Sequence, residues 1–431
     1  MGRPAPRSGS SAPAGWSGAR SARGRRPGGA WHHGVVVEER ELDVVLLGAT
    51  GFTGGLVAEY LARHAPAGLR WGLAGRDPER LARVSDRVAG LAGSEHEIAL
   101  LTADIGDPAS LASLARRTRV LATTVGPYLE YGEPVVAACA EAGTDYLDLT
   151  GEAEFVDRMW LAHHATAEST GARLVHACGF DSIPHDLGAR FTVAQLPGDH
   201  PITLRGVVRA RGTFSGGTFA SALTAMSRTR QAGQAAAERR RREVRPEGRR
   251  SRAVRGRPHR DPDLGLWLVP LPTIDPVVVA RSGRALPAYG PDFRYSHYTG
   301  SRSLPKTVAG TAAVAGVAAA AQVRPLRELL QSRVPQGSGP STERRERSWF
   351  RVDFVGEAAG RTVRTRVSGG DPGYTETATM LAESALCLAL EDNPEVAGQV
   401  TTAQAMGEHL THRLQAAGIR FEVLAEQTAR Q

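Results

Sequence analysis

The stretch Asp43-Val44-Val45-Leu46-Leu47-Gly48-Ala49-Thr50-Gly51-Phe52-Thr53-Gly54-Gly55-Leu56-Val57 sets an unbroken apolar run against glycines at Gly48, Gly51 and Gly54. Val44 to Leu47 reads as a parallel strand buried on both faces. The helical pattern that follows carries Leu56, Val57, Tyr60 and Leu61. A strand passing through close glycines into a helix is what a dinucleotide pyrophosphate requires, because the backbone must approach the phosphates and the helix N-terminus must offer them free N–H groups. Gly48, Thr50, Gly51, Phe52, Thr53 and Gly54 are the expected contacts. The spacing is G-x-x-G-x-x-G rather than G-x-G-x-x-G, and a tight turn without a ligand is the plain alternative.

The rest of the chain bounds the answer. Its 431 residues suit two domains or one elaborated domain. Three cysteines (Cys139, Cys178, Cys387) indicate neither a disulfide framework nor a metal cluster, and fit a reducing, cytoplasmic setting. His32-His33 falls in the tail, and His163-His164 point in different directions from one helix, so no metal constellation is expected. Lys306 is the only lysine, which rules out a catalytic lysine elsewhere. The formal charge of +8 is unevenly distributed. Residues 1–34 contribute +6 and residues 228–260 contribute +10, which leaves the remainder at −8. An acidic folded body argues against nucleic-acid binding. Residues 1–40 read as a disordered tail, and translation starting near Val35 would make most of it an annotation artefact.

Strand and helix then alternate, implying right-handed βαβ units and a doubly wound sheet. The second strand ends at Gly75-Arg76-Asp77, where the adenosine ribose is expected. Arg76 favours NADP through its 2′-phosphate, and Asp77 leaves NAD as the less favoured option. Asp104, ending the third strand (Ile98 to Ala103), is a candidate for the adenine amino group. At the end of the fourth strand, Gly126, Pro127 and Tyr128 are expected to line the nicotinamide side. Gly179-Phe180-Asp181-Ser182-Ile183-Pro184-His185 makes a further strand-to-helix turn at the same mouth. Tyr128, Asp181 and His185 are proton-donor candidates, and the residues do not choose among them. Cys178 reads as a small buried residue.

In the second half, Ile202 to Arg211, Leu264 to Leu271 and Ile274 to Ala280 read as strands. Phe350 to Val355 and Arg361 to Val367 read as a hairpin. Thr375 to Leu390 reads as a helix packing back on the first domain. The arginine-rich insertion 228–260 is expected to be a solvated mobile loop, with docking of an acidic carrier or anionic headgroups as the sharper alternative. Thr307 to Val323, uncharged and alanine-rich, reads as a packed helix, with membrane contact or a lipid-chain wall as the alternative.

These blocks, with Asp145-Tyr146-Leu147-Asp148-Leu149-Thr150-Gly151-Glu152 and the C-terminal pieces Gly339-Pro340-Ser341 and Gly373-Tyr374, resemble the saccharopine dehydrogenase-like oxidoreductases, specifically the actinobacterial trans-acting enoyl reductases. The similarity runs from about Leu42 to Val423. It implies an α/β fold: a Rossmann-type NAD(P)-binding domain at 41–188, a second α+β substrate domain at 189–370, and a C-terminal segment, 371–431, returning to the first. It also implies reduction of a double bond in a lipid or polyketide chain held by an acyl carrier protein or polyketide synthase, with peripheral contact at the plasma membrane. An imine dehydrogenase of the saccharopine type and a non-catalytic, NADP-binding membrane scaffold are the competing readings.

Overall fold

The computed structural model describes residues 40–91, 97–212, 216–332 and 339–428. The expected tail, the start near Val35 and His32-His33 lie outside the described residues. Six strands follow in order: β1 (Leu42–Leu47), β2 (Trp71–Gly75), β3 (Ala99–Thr102), β4 (Thr118–Thr123), β5 (Asp145–Leu147) and β6 (Arg173–Val175). Then come β7 (Ile202–Arg211), β8 (Arg250–Ala253), β9 (His259–Asp261), β10 (Leu266–Pro270), β11 (Asp292–Ser301), β12 (Trp349–Ala358) and β13 (Arg361–Gly369). Two late strands, β14 (Gly398–Val400) and β15 (Arg420–Thr428), complete the set.

The first sheet is parallel throughout, in the order β14-β6-β5-β4-β1-β2-β3. Winding outward from β1 to β3 and then returning to β4 creates a crevice above the C-terminal ends of β1 and β4, where open α/β sheets bind ligands. Val44, Val45 and Leu46 are fully buried, as strands covered on both faces must be. The second sheet is mixed and runs β15-β13-β12-β7-β11-β10-β9, with β8 pairing β11. β12 and β13 form the expected antiparallel hairpin. The helix Ile183–Val193 leaves the first sheet and packs against β12 and β13 of the second. The helix Thr375–Leu390 returns to cover β4 and the helix Phe52–His64. The C-terminal segment also supplies β14 to one sheet and β15 to the other.

Three expectations fail. Ile274 to Ala280 is not a strand: Asp275–Ala285 is a helix, opened by Asp275 and Pro276 in its first turn and burying Val278, Val279 and Ser282. The insertion 228–260 is not a solvated loop. Thr229–Arg242 is a helix, and β8 and β9 join the second sheet. Arg239 is buried there, with Nε 2.5 Å from Asp157 and Nη1 2.7 Å from Glu243. The uncharged helix, Leu304–Ala321, is not packed: of its residues only Ala321 is buried.

Candidate active site

The chain leaves β1 at Gly48, whose φ of +93° suits glycine and little else. A Cβ at Gly54 would stand 2.2 Å from the Gly48 carbonyl oxygen, so helix and loop touch as no larger residue allows. Thr124 Oγ1 donates to that same carbonyl at 3.1 Å and fixes the loop against the end of β4. Gly51 caps the helix Phe52–His64 without a side chain, and the first turn holds no acid. Its leading N–H groups therefore keep their positive end for an anion. Phe52 packs edge-on against Tyr374, their ring centroids 5.0 Å apart, and Gly339 also lies against its ring.

At the end of β2, Asp77 is spent locally. One carboxylate oxygen accepts from Arg80 N at 3.0 Å and caps the next helix, and the other lies 3.3 Å from Arg80 Nε. Arg76 is exposed and makes no ion pair among the described residues. A cradle with a free guanidinium and an occupied carboxylate fits NADP better than NAD. Asp104 accepts from Gly106 N at 2.8 Å, which shapes the turn after β3. The N-cap of the following helix is Asp107.

Gly126 and Pro127 stand at the mouth of β4, but Tyr128 turns inward. Its hydroxyl donates to Thr123 O and accepts from Leu149 N, each at 3.1 Å. Burial, with Asp148 and Glu152 nearby, pushes the phenol well above its ordinary range. Tyr128 is therefore a structural post, and its place among the proton donors is corrected. Beneath it, buried Glu152 accepts from Tyr128 N, Leu129 N and Ser221 Oγ, and so seats the turn that follows Pro127.

Asp181 and His185 do come together, with two partners that sequence reasoning missed. Asp181 is partly buried at the mouth beside Gly151, where an added Cβ would lie 3.4 Å from its Oδ2. Burial, then the Asp275 charge, pushes its carboxyl up to about 6. His185 Nδ1 lies 2.8 Å from Asp275 Oδ1, and its buried Nε2 has no partner among the described residues. Asp275 Oδ2 lies 3.6 Å from His297 Nε2, and Tyr295 Oη lies 3.1 Å from His297 Nδ1. Burial pushes the Asp275 carboxyl up, but contacts with the two histidines more than offset this and hold it below the usual range. Burial drives His297 down to about 4. The Ile274-Asp275-Pro276 helix start could have drawn attention to Asp275. Nothing in the alternation along β11 marks His297.

The expectation of no metal constellation also needs amending. One ligand atom each from His185, Asp275 and His297 lies within 4.8 Å of the others. The 2.8 Å contact between Nδ1 and Oδ1 sets the His185 ring against the Asp275 carboxylate. Cys178 is buried, as expected, and burial raises its thiol well above the ordinary value.

Residues 44–175 match the saccharopine dehydrogenase NADP-binding domain. A Mycobacterium tuberculosis protein provisionally named a trans-acting enoyl reductase is 40% identical over 89% of this chain and 97% of its own length. The trans-acting enoyl reductase of Mycobacterium bovis is 37% identical over 88% and 97%. Among solved structures, apo saccharopine dehydrogenase (L-Glu forming) from Saccharomyces cerevisiae aligns with a TM-score of 0.52, 12% identity, and coverage of 89% of this chain and 99% of that one. That likeness establishes a shared fold. With this cradle and these relatives, the chain is an NADP-dependent oxidoreductase that belongs to the saccharopine dehydrogenase-like trans-acting enoyl reductase family.

Proposed function

We propose that the protein reduces a carbon–carbon double bond in an acyl chain presented by a separate carrier or synthase, and that Asp181 supplies the proton. The observation that carries the reading is the seat of Asp181 at the sheet mouth beside Gly151, with a histidine–aspartate pair behind it and its carboxyl raised to about 6. NADPH, when bound, supplies the hydride to the β-carbon. The chain's own residues then have two tasks. The mouth residues Gly126, Pro127 and Gly151 leave room for a flat enoyl thioester. Protonated Asp181 delivers its proton to the α-carbon as the enolate collapses, becomes a carboxylate, and is recharged from solvent. His185, oriented by Asp275, faces the Phe180 ring edge-on at a centroid distance of 5.6 Å and backs this turn. Arg76 reads the 2′-phosphate. The relatives' name supports a trans-acting partnership with a polyketide-type synthase, and the three buried free cysteines fit a cytoplasmic setting.

The test is NADPH oxidation with trans-2-enoyl thioesters on carrier protein and on coenzyme A, with NADH as control. Equimolar NADPH loss and saturated product are expected. Tight NADPH binding without turnover of any enoyl chain length would overturn the reading.

A further inference from the structure

We propose that the helix Leu304–Ala321, with the start of the helix Arg324–Ser332, lies in the surface of an anionic bilayer and delivers the lipid chain to the site. Residues 307–323 carry no charged side chain, and Lys306 and Arg324 bracket them. Across 301–332 there are four basic residues (Arg302, Lys306, Arg324, Arg327) and one acid, Glu328. The helix is apolar all round yet bare: Leu304, Val308 and Val314 are exposed by 44%, 60% and 49%. Val323 and Leu326 continue this apolar surface, at 48% and 45%. An apolar helix with no polar face is stable when surrounded, and a protein groove covers only one side of it. A bilayer covers the rest.

Both ends are fastened to the same body. Ser301 ends β11, paired with Trp267, while Ala321 is buried and Gln322 Nε2 donates to Met226 O at 2.5 Å. A membrane crossing would draw the body that holds both ends into the hydrocarbon, where its loops and sheet edges would lose their hydrogen-bond partners, so the helix lies in one leaflet. The basic residues at its ends, among them Arg324 with its Glu328 partner at 2.8 Å, meet anionic headgroups.

Two features join this surface to the site. β11 carries His297 four residues before Ser301. The Arg324–Ser332 helix also walls a cavity of about 450 Å³, whose charged lining (Arg324, Arg327, Glu328, Arg228 and Glu130) suits the polar end of the lipid that carries the chain. Glu130 lies three residues beyond Pro127, which stands at the mouth of β4. The proposal rests on the lipid-chain reading only for this route.

Flotation of the full chain with phosphatidylglycerol-containing vesicles, against phosphatidylcholine alone, tests it without turnover. Wild type should float with the anionic vesicles, less so as NaCl is raised. Val308→Glu/Val314→Glu should lose at least tenfold in bound fraction while keeping NADPH binding. Arg324→Glu/Arg327→Glu should lose a similar factor on anionic vesicles alone. The six tail arginines are common to all these proteins, so the differences report the helices. No flotation of wild type, or flotation unchanged in the valine variant, would overturn the proposal. So would a vesicle-independent dimer that the valine variant dissociates, which would mark a second copy of the chain as the occupant. Reductase activity on soluble enoyl thioesters is read separately, so failure here leaves that reading intact.

Discussion

At the scale of single residues, specificity and chemistry rest on side chains whose neighbours have freed or perturbed them. Arg76 is available because Asp77 is committed to capping its helix and to Arg80. Arg76→Ala should weaken NADPH binding by about 10–100-fold, the worth of a charge-assisted phosphate contact, and leave NADH binding nearly unchanged; calorimetry with both cofactors checks this. Asp181 loses its proton as pH rises through about 6, so the chemical step should slow above that value by up to tenfold per pH unit. Asp181→Asn should be slower by 10²–10⁴-fold and lose that limb of the single-turnover pH profile. A profile unchanged by the substitution would remove Asp181 from the proton transfer. The glycine cradle could be read directly from the chain because its residues are consecutive and its constraint is local. The Asp181, His185, Asp275 and His297 set could not, because the helix Asp275–Ala285 and β11 bring the last two against the first pair from about a hundred residues away.

At the scale of elements, the alternation of strands and helices through β6 was open to pattern reading, since each apolar run there is short and followed by a helix, and all but the edge strand β3 are mostly buried. The failures have a common cause: composition stood in for packing. Val277-Val278-Val279 looks like strand sequence, but the Asp-Pro start and the space between β8, β11 and the helix Ile183–Val193 make it helical. The arginine-rich insertion looks solvated, yet the helix Thr229–Arg242 lies on Ala153–Thr170 and turns Arg239 inward onto Asp157. Arg228 pins the same surface through Glu154, at 2.6 and 2.8 Å. Removing Arg239 strands a buried carboxylate, whereas removing exposed Arg240 strands nothing. Arg239→Ala should therefore cost about 3–5 kcal/mol and Arg240→Ala less than about 0.5 kcal/mol, measured by denaturant titration. Equal effects from the two would mean that the insertion is held some other way.

At the scale of the whole molecule, the helix Ile183–Val193 is where the two sheets are joined, and titratable groups on it and around its start tie stability to pH. Asp186, fully buried, accepts from Ser282 Oγ, Thr402 Oγ1 and Ala403 N, so it gathers the second-half helix and the C-terminal segment onto one carboxylate. On β11, its ring 5.0 Å from that of His185, His297 is held neutral down to about 4 against an ordinary value of 6.5. Between those values the unfolded chain takes up a proton that the folded chain refuses, so this term is fully present above 6.5 and is lost as pH falls towards 4. Asp181 acts in the opposite sense. Its folded value of about 6 lies above the ordinary 3.8, so the fold is penalised as pH rises through that window and carries the full penalty above it. The shift corresponds to about 3 kcal/mol, comparable in size to the His297 term, and in the wild-type protein the two largely cancel between pH 4 and 6.5. Asp181→Asn removes only the penalty. The variant should melt a few degrees above wild type at pH 7.5, converge with it near pH 4, and show a steeper loss on acidification. Thermal unfolding of the two proteins at half-unit pH steps gives the difference curve directly. Parallel curves would mean that Asp181 is solvated in the folded protein, and that its position at the mouth carries no stored electrostatic cost to spend on proton transfer.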